Sequence, residues 1–213
     1  MDVERVFGEA ARARVAEAIR RAEVFSRGQI VPVVVEKSDP YPETRARGGL
    51  ALAALATAAW LALHPEGGAV ELVVVQLAAG LAGALLAAWD PVERVLAGTR
   101  SMDEAVRARA LRAFHEHGLH RTAEGTGVLL FASLFEREAV VLGDHGIHDK
   151  VGDRGWDRVV KALVTELRAG DPAAGFVDAI ALCGAQLAEH FPRDGAAPRP
   201  PNELEDTIRA EKR

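Results

Sequence analysis

The sequence predicts an α/β fold in which a small β-sheet is flanked by helices and interrupted by an inserted transmembrane helical hairpin. Three observations support this prediction. Short β-branched runs of strand length lie on both sides of the chain's middle. Segments with apolar residues at helical spacing surround those runs. Between them lie two long apolar runs without a charged residue. A chain of 213 residues is long enough for one such domain with an insertion.

The composition excludes several classes of protein. Hydrophobic residues make up 49% of the chain and aromatic residues only 5%, so the apolar mass is alanine, valine and leucine, which is too apolar for a disordered chain. The single cysteine, Cys183, excludes a disulfide framework and a multi-cysteine zinc site. A net charge of -5 argues against a nucleic-acid partner. The first residues have no apolar core of signal-peptide length, so no cleaved signal is expected.

The first elements of the domain precede the apolar runs. Apolar residues at helical spacing predict an amphipathic helix over residues 3–24. Residues 29–36 are mostly β-branched and predict a strand, and Pro32 inside this strand indicates an edge position or a bulge. The polar, proline-containing residues 38–42 predict a loop.

The apolar runs at residues 48–63 and 72–89 contain no charged residue. A membrane-spanning helix needs about 20 apolar residues, within a range of about 17–25, so the second run qualifies and the first is slightly short. Gly80 and Gly83 suit close helix packing in lipid. The sequence therefore predicts a transmembrane hairpin over residues 48–89 that contacts membrane lipid. A buried hairpin of a soluble protein is the alternative.

The charges around the two apolar runs predict an orientation. Lysine and arginine residues precede the first run and follow the second, whereas the short loop between the runs carries only glutamates as charged residues. Because positively charged flanks favour the cytoplasmic side, we expect a multi-pass protein of the cytoplasmic membrane. The soluble domain is then predicted on the cytoplasmic face.

The second half of the chain completes the domain. Residues 102–118 predict a helix that closes near Gly118. Strand-like runs at 127–134 and 138–143 are separated by a connection short enough for a hairpin. Two further helices are predicted over 156–167 and 176–191. The predicted organisation is a first domain part over 1–47, the hairpin over 48–89, a second domain part over 90–191 and a proline-rich disordered tail over 192–213.

Carboxylate and histidine side chains gather at one end of the predicted β-hairpin. The start of one strand lies beside the end of its partner, so residues 124–127 are expected next to 144–147. The candidate metal ligands here are Glu124, Asp144, His148, Asp149 and Asp153. Oxygen ligands suit calcium or another hard divalent cation, whereas histidines suit a transition metal. The alternative is that these side chains are solvated or cap helices, as Asp149 and Asp153 are placed to do.

Basic side chains near this end form a second candidate group. His120, Arg121 and His145 are candidate ligand-binding residues, since an arginine pairs well with a carboxylate or a phosphate. His117 and His120 are three residues apart and could share a helical face, but a histidine pair alone is a weak zinc signal. The alternative for these basic residues is a helix C-terminus, where cations favour the dipole.

Several stretches of the chain resemble a known family. They read EGTGVLLF from Glu124, SL from Ser133, ER from Glu136 and VVLGDHGI from Val140, together with LHRT from Leu119 and SDPY from Ser38. These stretches resemble the signature of TPM domains, named after the thylakoid acid phosphatase and photosystem II repair proteins, and in particular their bacterial membrane-protein branch. The resemblance covers residues 3–191. It implies a small sheet flanked by helices, in a protein of the bacterial inner membrane.

For activity, the same resemblance implies either phosphatase chemistry or calcium binding, which some members of the family show. In other TPM domains the loop after the second hairpin strand holds a glycine–tyrosine–glycine–leucine–glutamate run. In this sequence His145 stands in place of the tyrosine and His148 in place of the glutamate.

The sequence offers weak support for nucleophilic catalysis. Cys183 lies on the apolar face of a predicted helix, Ser133 lies in a strand with no histidine nearby in sequence, and no P-loop is present. A hydrolase would therefore use metal-activated water. We expect a membrane-anchored binding or assembly module with an unidentified membrane-protein partner. A metal-dependent phosphatase that uses the carboxylate-rich loop is the alternative.

Overall fold

The structure, a computed structural model, describes residues 3–122, 125–193 and 207–211. It divides into two compact units, of which one is Asp39–Met102 and the other comprises the residues before and after it. The hairpin predicted over 48–89 thus lies inside the first of these units. We call Asp39–Met102 the hairpin unit and the remainder the sheet unit.

The helices and strands of the sheet unit flank the insertion on both sides. Before it lie α1 (Val3–Val6), α2 (Glu9–Glu23) and β1 (Gln29–Val35). The hairpin unit contains α3 (Pro42–Leu63), α4 (Ala69–Leu86) and α5 (Asp90–Ala97), and α6 (Thr99–Glu116) follows. The rest is β2 (Gly127–Ser133), β3 (Glu138–Gly143), α7 (His145–Val151), α8 (Asp157–Ala169), α9 (Pro172–His190) and β4 (Arg209–Glu211), with 3₁₀ turns at Leu119–Arg121 and Asp153–Trp156.

A four-stranded sheet with the order β3-β2-β1-β4 forms the centre of the sheet unit. β2 and β3 are antiparallel, with Phe131 opposite Val140, so the β-hairpin predicted from the sequence is confirmed. β1 is parallel to β2, with Val33 opposite Phe131. A parallel pair needs a long crossover connection, and the chain between β1 and β2 contains the whole hairpin unit and α6.

The two faces of the sheet are covered by different helices. On one face, Val34 and Leu130 pack with apolar residues of α2, α8 and α9 in the larger hydrophobic cluster. On the other face, Leu129 and Phe131 pack with Val106 of α6. The alternation of side chains along each strand produces this division. The mixed α/β class and the helix-flanked sheet are therefore confirmed.

Cys183 lies in the larger cluster and is fully buried, as its place on an apolar helix face predicts. Burial, and to a smaller extent the nearby carboxylate of Glu23, raise the pKa of the Cys183 thiol far above its ordinary value. The thiol therefore stays protonated and lacks the thiolate form that a nucleophile needs.

Two local predictions are wrong in the first part of the sheet unit. The single helix predicted over 3–24 is broken between α1 and α2, where Phe7 is buried and the extended Gly8 precedes α2. β1 lies inside the sheet, so Pro32 is not in an edge strand. β4 pairs only with Val33–Val35, however, so within the described residues β1 has no neighbour on that side at Pro32.

The predicted disordered tail over 192–213 contains a strand. Arg209–Glu211 form β4, which pairs with Val33–Val35 of β1, and Ile208 beside it is buried. A strand of three residues has too few positions to show alternation in the sequence. The polar composition of the tail therefore predicted disorder and gave no strand signal. Residues 194–206 of the predicted tail lie outside the described residues.

In the hairpin unit, α3 and α4 approach closely at glycines. A Cβ atom placed on Gly49 would lie 2.9 Å from the Gly80 carbonyl oxygen, and one placed on Gly83 would overlap the Gly48 carbonyl oxygen. The close helix packing predicted at Gly83 is therefore confirmed, whereas a Cβ atom on Gly80 would make only ordinary contacts at 3.8 Å. α3 begins at Pro42, so it includes charged residues before the apolar run. Both α3 and α4 are long and apolar enough to cross a membrane.

Candidate functional site

The carboxylate-rich segment after β3 is helical, whereas the sequence predicted a loop. Residues 145–151 form α7, and a 3₁₀ turn from Asp153 to Trp156 follows. Two contacts of Asp144 stabilise the start of α7: its side-chain Oδ1 accepts from the His145 N–H at 2.7 Å, and its carbonyl oxygen accepts from the Ile147 N–H at 3.0 Å. Ile147 is fully buried and anchors the helix to the core.

The ends of β2 and β3 meet where the sequence placed them. The Asp144 N–H donates to the Gly127 carbonyl oxygen at 2.8 Å, and the Thr122 hydroxyl donates to Asp144 Oδ2 at 3.3 Å. The Thr122 Oγ1 in turn accepts from the Thr126 N–H at 3.1 Å. Both oxygens of the Asp144 carboxylate are therefore used to connect the start of β2 to the start of α7.

The other candidate side chains are placed on the surface in local pairs. His145 Nε2 lies 3.6 Å from Asp149 Oδ2, and both side chains are exposed. Arg121 Nε donates to His120 Nε2 at 3.1 Å, so a neighbouring histidine is the observed partner of this guanidinium. Glu124 lies outside the described residues, as do the side chains of His148 and Asp153.

Of the five candidate metal ligands, the side chains of Asp144 and Asp149 are described. Among the described side chains, no three histidine, cysteine, aspartate or glutamate residues are placed to hold one metal ion. A metal site built from Glu124, Asp144, His148, Asp149 and Asp153 stays a prediction, as does binding of a ligand by His120, Arg121 and His145.

We expect Asp144→Ala to lower the free energy of unfolding by about 1 kcal/mol, the usual cost of a lost helix cap. Asp144→Asn should cost less, because asparagine is an equally good cap. Thermal unfolding of both variants checks this. A stability of Asp144→Ala equal to that of the wild type would contradict the capping role.

The same pair of variants tests calcium binding, one form of the divalent-metal binding that the phosphatase alternative requires. A ligand that binds only the folded state raises its melting temperature. If Asp144 is a calcium ligand, added calcium raises the melting temperature of the wild type and much less that of Asp144→Asn, although both keep the cap. Equal shifts in the two proteins would exclude Asp144 as a ligand.

A buried carboxylate outside the predicted site residues lies at the other end of the β-hairpin. Glu136 accepts from the Ser133 hydroxyl through Oε2 and from the Ser38 N–H through Oε1, the latter at 3.0 Å. Both Ser133 and Glu136 are buried. The resemblance quoted above included Ser38, Ser133 and Glu136, but only the fold brings these three residues together.

Grooves of the sheet unit also lie outside the predicted site. One of about 780 Å³ runs between α2 and α9 and is lined mainly by alanines and by the exposed Phe25. Its charged rim is predominantly basic, because the single carboxylate of Glu17 pairs with both Arg20 and Arg21, and the hydrogen bond from Arg20 is the main cause of the lowered pKa of Glu17. Another groove, of about 450 Å³, follows β3.

Comparison with known proteins places this fold and its sequence motifs in a family. Residues 92–186 match the family model of the TPM domain. Over these residues the chain is similar to TPM domains. The match begins after β1, although β1 pairs with β2 along its full length, so the sheet includes a strand outside the matched residues. The family resemblance of the sequence is thus confirmed over residues 92–186.

A solved structure has a similar fold. The NMR structure of the BA42 protein from the psychrophilic bacterium Bizionia argentinensis matches with a TM-score of 0.62 and 20% sequence identity, over 99% of each chain. At that identity the match supports the fold alone. No curated protein sequence matches this chain significantly.

Proposed function

We propose that this protein is a membrane-anchored binding or assembly module, in which α3 and α4 insert into the bilayer and hold the TPM domain at the membrane surface. The observation that carries the proposal is the surface of α3 and α4. Leu77 is 71% exposed and Leu81 is 65% exposed. Further large apolar residues of the two helices are also exposed, namely Leu50, Leu55, Leu61, Leu63, Val70, Val73, Val74, Leu85 and Leu86. Water disfavours so large an apolar surface, whereas lipid accommodates it.

The polar groups of the hairpin also support insertion. Gln76 of α4 donates through Nε2 to Thr57 Oγ1 of α3 at 2.9 Å, and the Thr57 hydroxyl donates to the Ala53 carbonyl oxygen at 2.8 Å. These two side chains therefore satisfy each other inside the helix pair, as polar groups at membrane depth must. The glycine contacts between the helices supply the close packing that lipid-embedded pairs use.

The orientation follows from the flanking charges. Arg45 and Arg47 precede the apolar part of α3, and Arg94 and Arg100 follow α4, while the connection between α3 and α4 has no lysine or arginine. The proposed topology places both flanks, and with them the TPM domain, on the cytoplasmic face of the bacterial inner membrane.

Carbonate extraction of membranes tests the anchor. We expect the full chain to remain in the membrane pellet, because two spanning helices are not released by high pH. A variant with residues 48–89 replaced by a short glycine–serine linker should be soluble and folded. A full chain that is soluble without detergent would contradict insertion, and a reporter fused after Arg213 that is active only outside the cytoplasm would contradict the orientation.

A further inference from the structure

We propose that the open edge of β3 binds an extended peptide segment of a partner protein as a further strand of the sheet, and that this segment alternates apolar and acidic side chains. This inference rests on the proposed function, since it specifies the kind of partner that the module binds. The groove of about 450 Å³ along β3 is the site.

The backbone of β3 offers hydrogen-bonding groups on its outer side. Gly127 and Asp144 form a hydrogen-bonded pair, because the Asp144 N–H donates to the Gly127 carbonyl oxygen at 2.8 Å. Hydrogen-bonded pairs alternate with non-bonded pairs in an antiparallel ladder. In the register of β2 and β3, Ala139, Val141 and Gly143 therefore direct their N–H and C=O groups away from β2. Within the described residues, no further strand pairs with β3.

This edge lacks the features that normally protect an edge strand. Its central residues, 139–142, are apolar and contain no lysine or proline. The register with β2 is continuous from Glu138 to Gly143, so no bulge turns the strand away from an incoming chain. Natural proteins avoid such edges or cover them, since unpaired backbone groups pair with another strand. A partner strand would satisfy these groups.

The residues on the two sides of the groove favour an extended peptide over a second copy of this protein as the occupant. Arg107 of α6 lines the groove on one face of the sheet, and Trp156 and Val160 line it on the other. A second copy that paired its own β3 antiparallel to this one would be related by a two-fold axis perpendicular to the sheet. That symmetry would place the two Arg107 side chains on the same face of the joined sheet, where like charges repel. An extended peptide avoids this repulsion.

The two walls also determine the side chains that the peptide needs. Successive residues of a strand point to opposite faces of the sheet. Residues that face α8 meet Trp156 and Val160, which favour apolar side chains, and Asp157, which disfavours acidic side chains on this face. Residues that face α6 meet the exposed Arg107, whose guanidinium has no ion-pair partner among the described residues. Acidic side chains on that face complement the positive charge.

The test uses the full chain in lipid nanodiscs and a short fluorescent peptide of alternating valine and glutamate. We expect saturable binding by fluorescence anisotropy, and weaker binding of a control peptide with the same composition but contiguous valines. Val141→Pro should weaken binding about tenfold or more, because it removes one outward N–H and blocks strand addition. It should lower the melting temperature only modestly, since the lost N–H points away from β2 and Val141 is only partly buried.

Matched variants distinguish a loss of peptide binding at the β3 edge from a loss of folding. They also distinguish the contribution of the Arg107 charge from that of the edge backbone. Leu142→Pro removes an N–H that pairs with β2, so it should lower the melting temperature strongly, unlike Val141→Pro. Arg107→Glu should weaken binding of the valine–glutamate peptide and improve binding of a valine–lysine peptide. This reversal is specific to a charge contact and would not follow from a general loss of stability.

Three results would overturn the inference. They are the absence of peptide binding, equal binding by the wild type and Val141→Pro, and a concentration-dependent dimer that Val141→Pro abolishes, which would assign the edge to a second copy. Carbonate extraction is independent of all three. A chain that is released by carbonate but binds the peptide would contradict the membrane anchor and leave the edge site supported.

Discussion

Phe131→Ala is expected to lower the free energy of unfolding of the sheet unit by about 3–5 kcal/mol, the usual cost of truncating a buried phenylalanine. Phe131 is 0% exposed and lies in the middle of β2, opposite Val33 of β1 and Val140 of β3. Its ring packs in the cluster with Val106 of α6. The cavity left by the ring would therefore open where three strands and one helix meet.

Leu111→Ala on α6 is the matched control, since Leu111 is 45% exposed and its truncation leaves no closed cavity. We expect the control to cost less than 1.5 kcal/mol, a small part of the roughly 3–5 kcal/mol expected for Phe131→Ala. Hydrogen exchange of the β-strand amides measures both variants in the full chain without interference from the apolar helices. Exchange rates for Phe131→Ala equal to those of the wild type would contradict a core role for Phe131.

The sequence predicted those parts of the fold that depend on neighbouring residues. β2 and β3 are apolar, strand-length and joined by a four-residue connection, so their pairing follows from local pattern. α3 and α4 follow from length and lack of charge. The parallel pairing of β1 with β2 could not be predicted this way, because the whole hairpin unit separates the two strands along the chain.

In the candidate site, too, the sequence predicted only the features that depend on neighbouring residues. The meeting of the two strand ends at Gly127 and Asp144 follows from hairpin geometry and was predicted. The use of the Asp144 carboxylate by Thr122 and the His145 N–H depends on α7, which is too short to show a helical period in sequence. The open edge of β3 depends on strand order, which no local pattern contains.

Glu136→Ala is expected to destabilise the sheet unit by about 3–6 kcal/mol, because it removes the acceptor of two hydrogen bonds to a charged group, each worth about 1.5–3 kcal/mol. The Ser133 hydroxyl and the Ser38 N–H would both lose the carboxylate oxygen that accepts from them. These bonds join the turn of the β-hairpin to the chain just after β1. That connection is where the sheet unit ends and the hairpin unit begins, between Ser38 and Asp39.

Two further variants separate this carboxylate effect from a general packing loss. Glu136→Gln keeps a carbonyl acceptor for one donor and should be less harmful than Glu136→Ala. Ser133→Ala removes one donor, so the double variant with Glu136→Ala should cost less than the sum of the two single changes. Urea unfolding of the wild type and of these four variants measures this coupling. Strict additivity would show that Ser133 and Glu136 act separately, and it would remove the carboxylate as the link between the turn and the chain after β1.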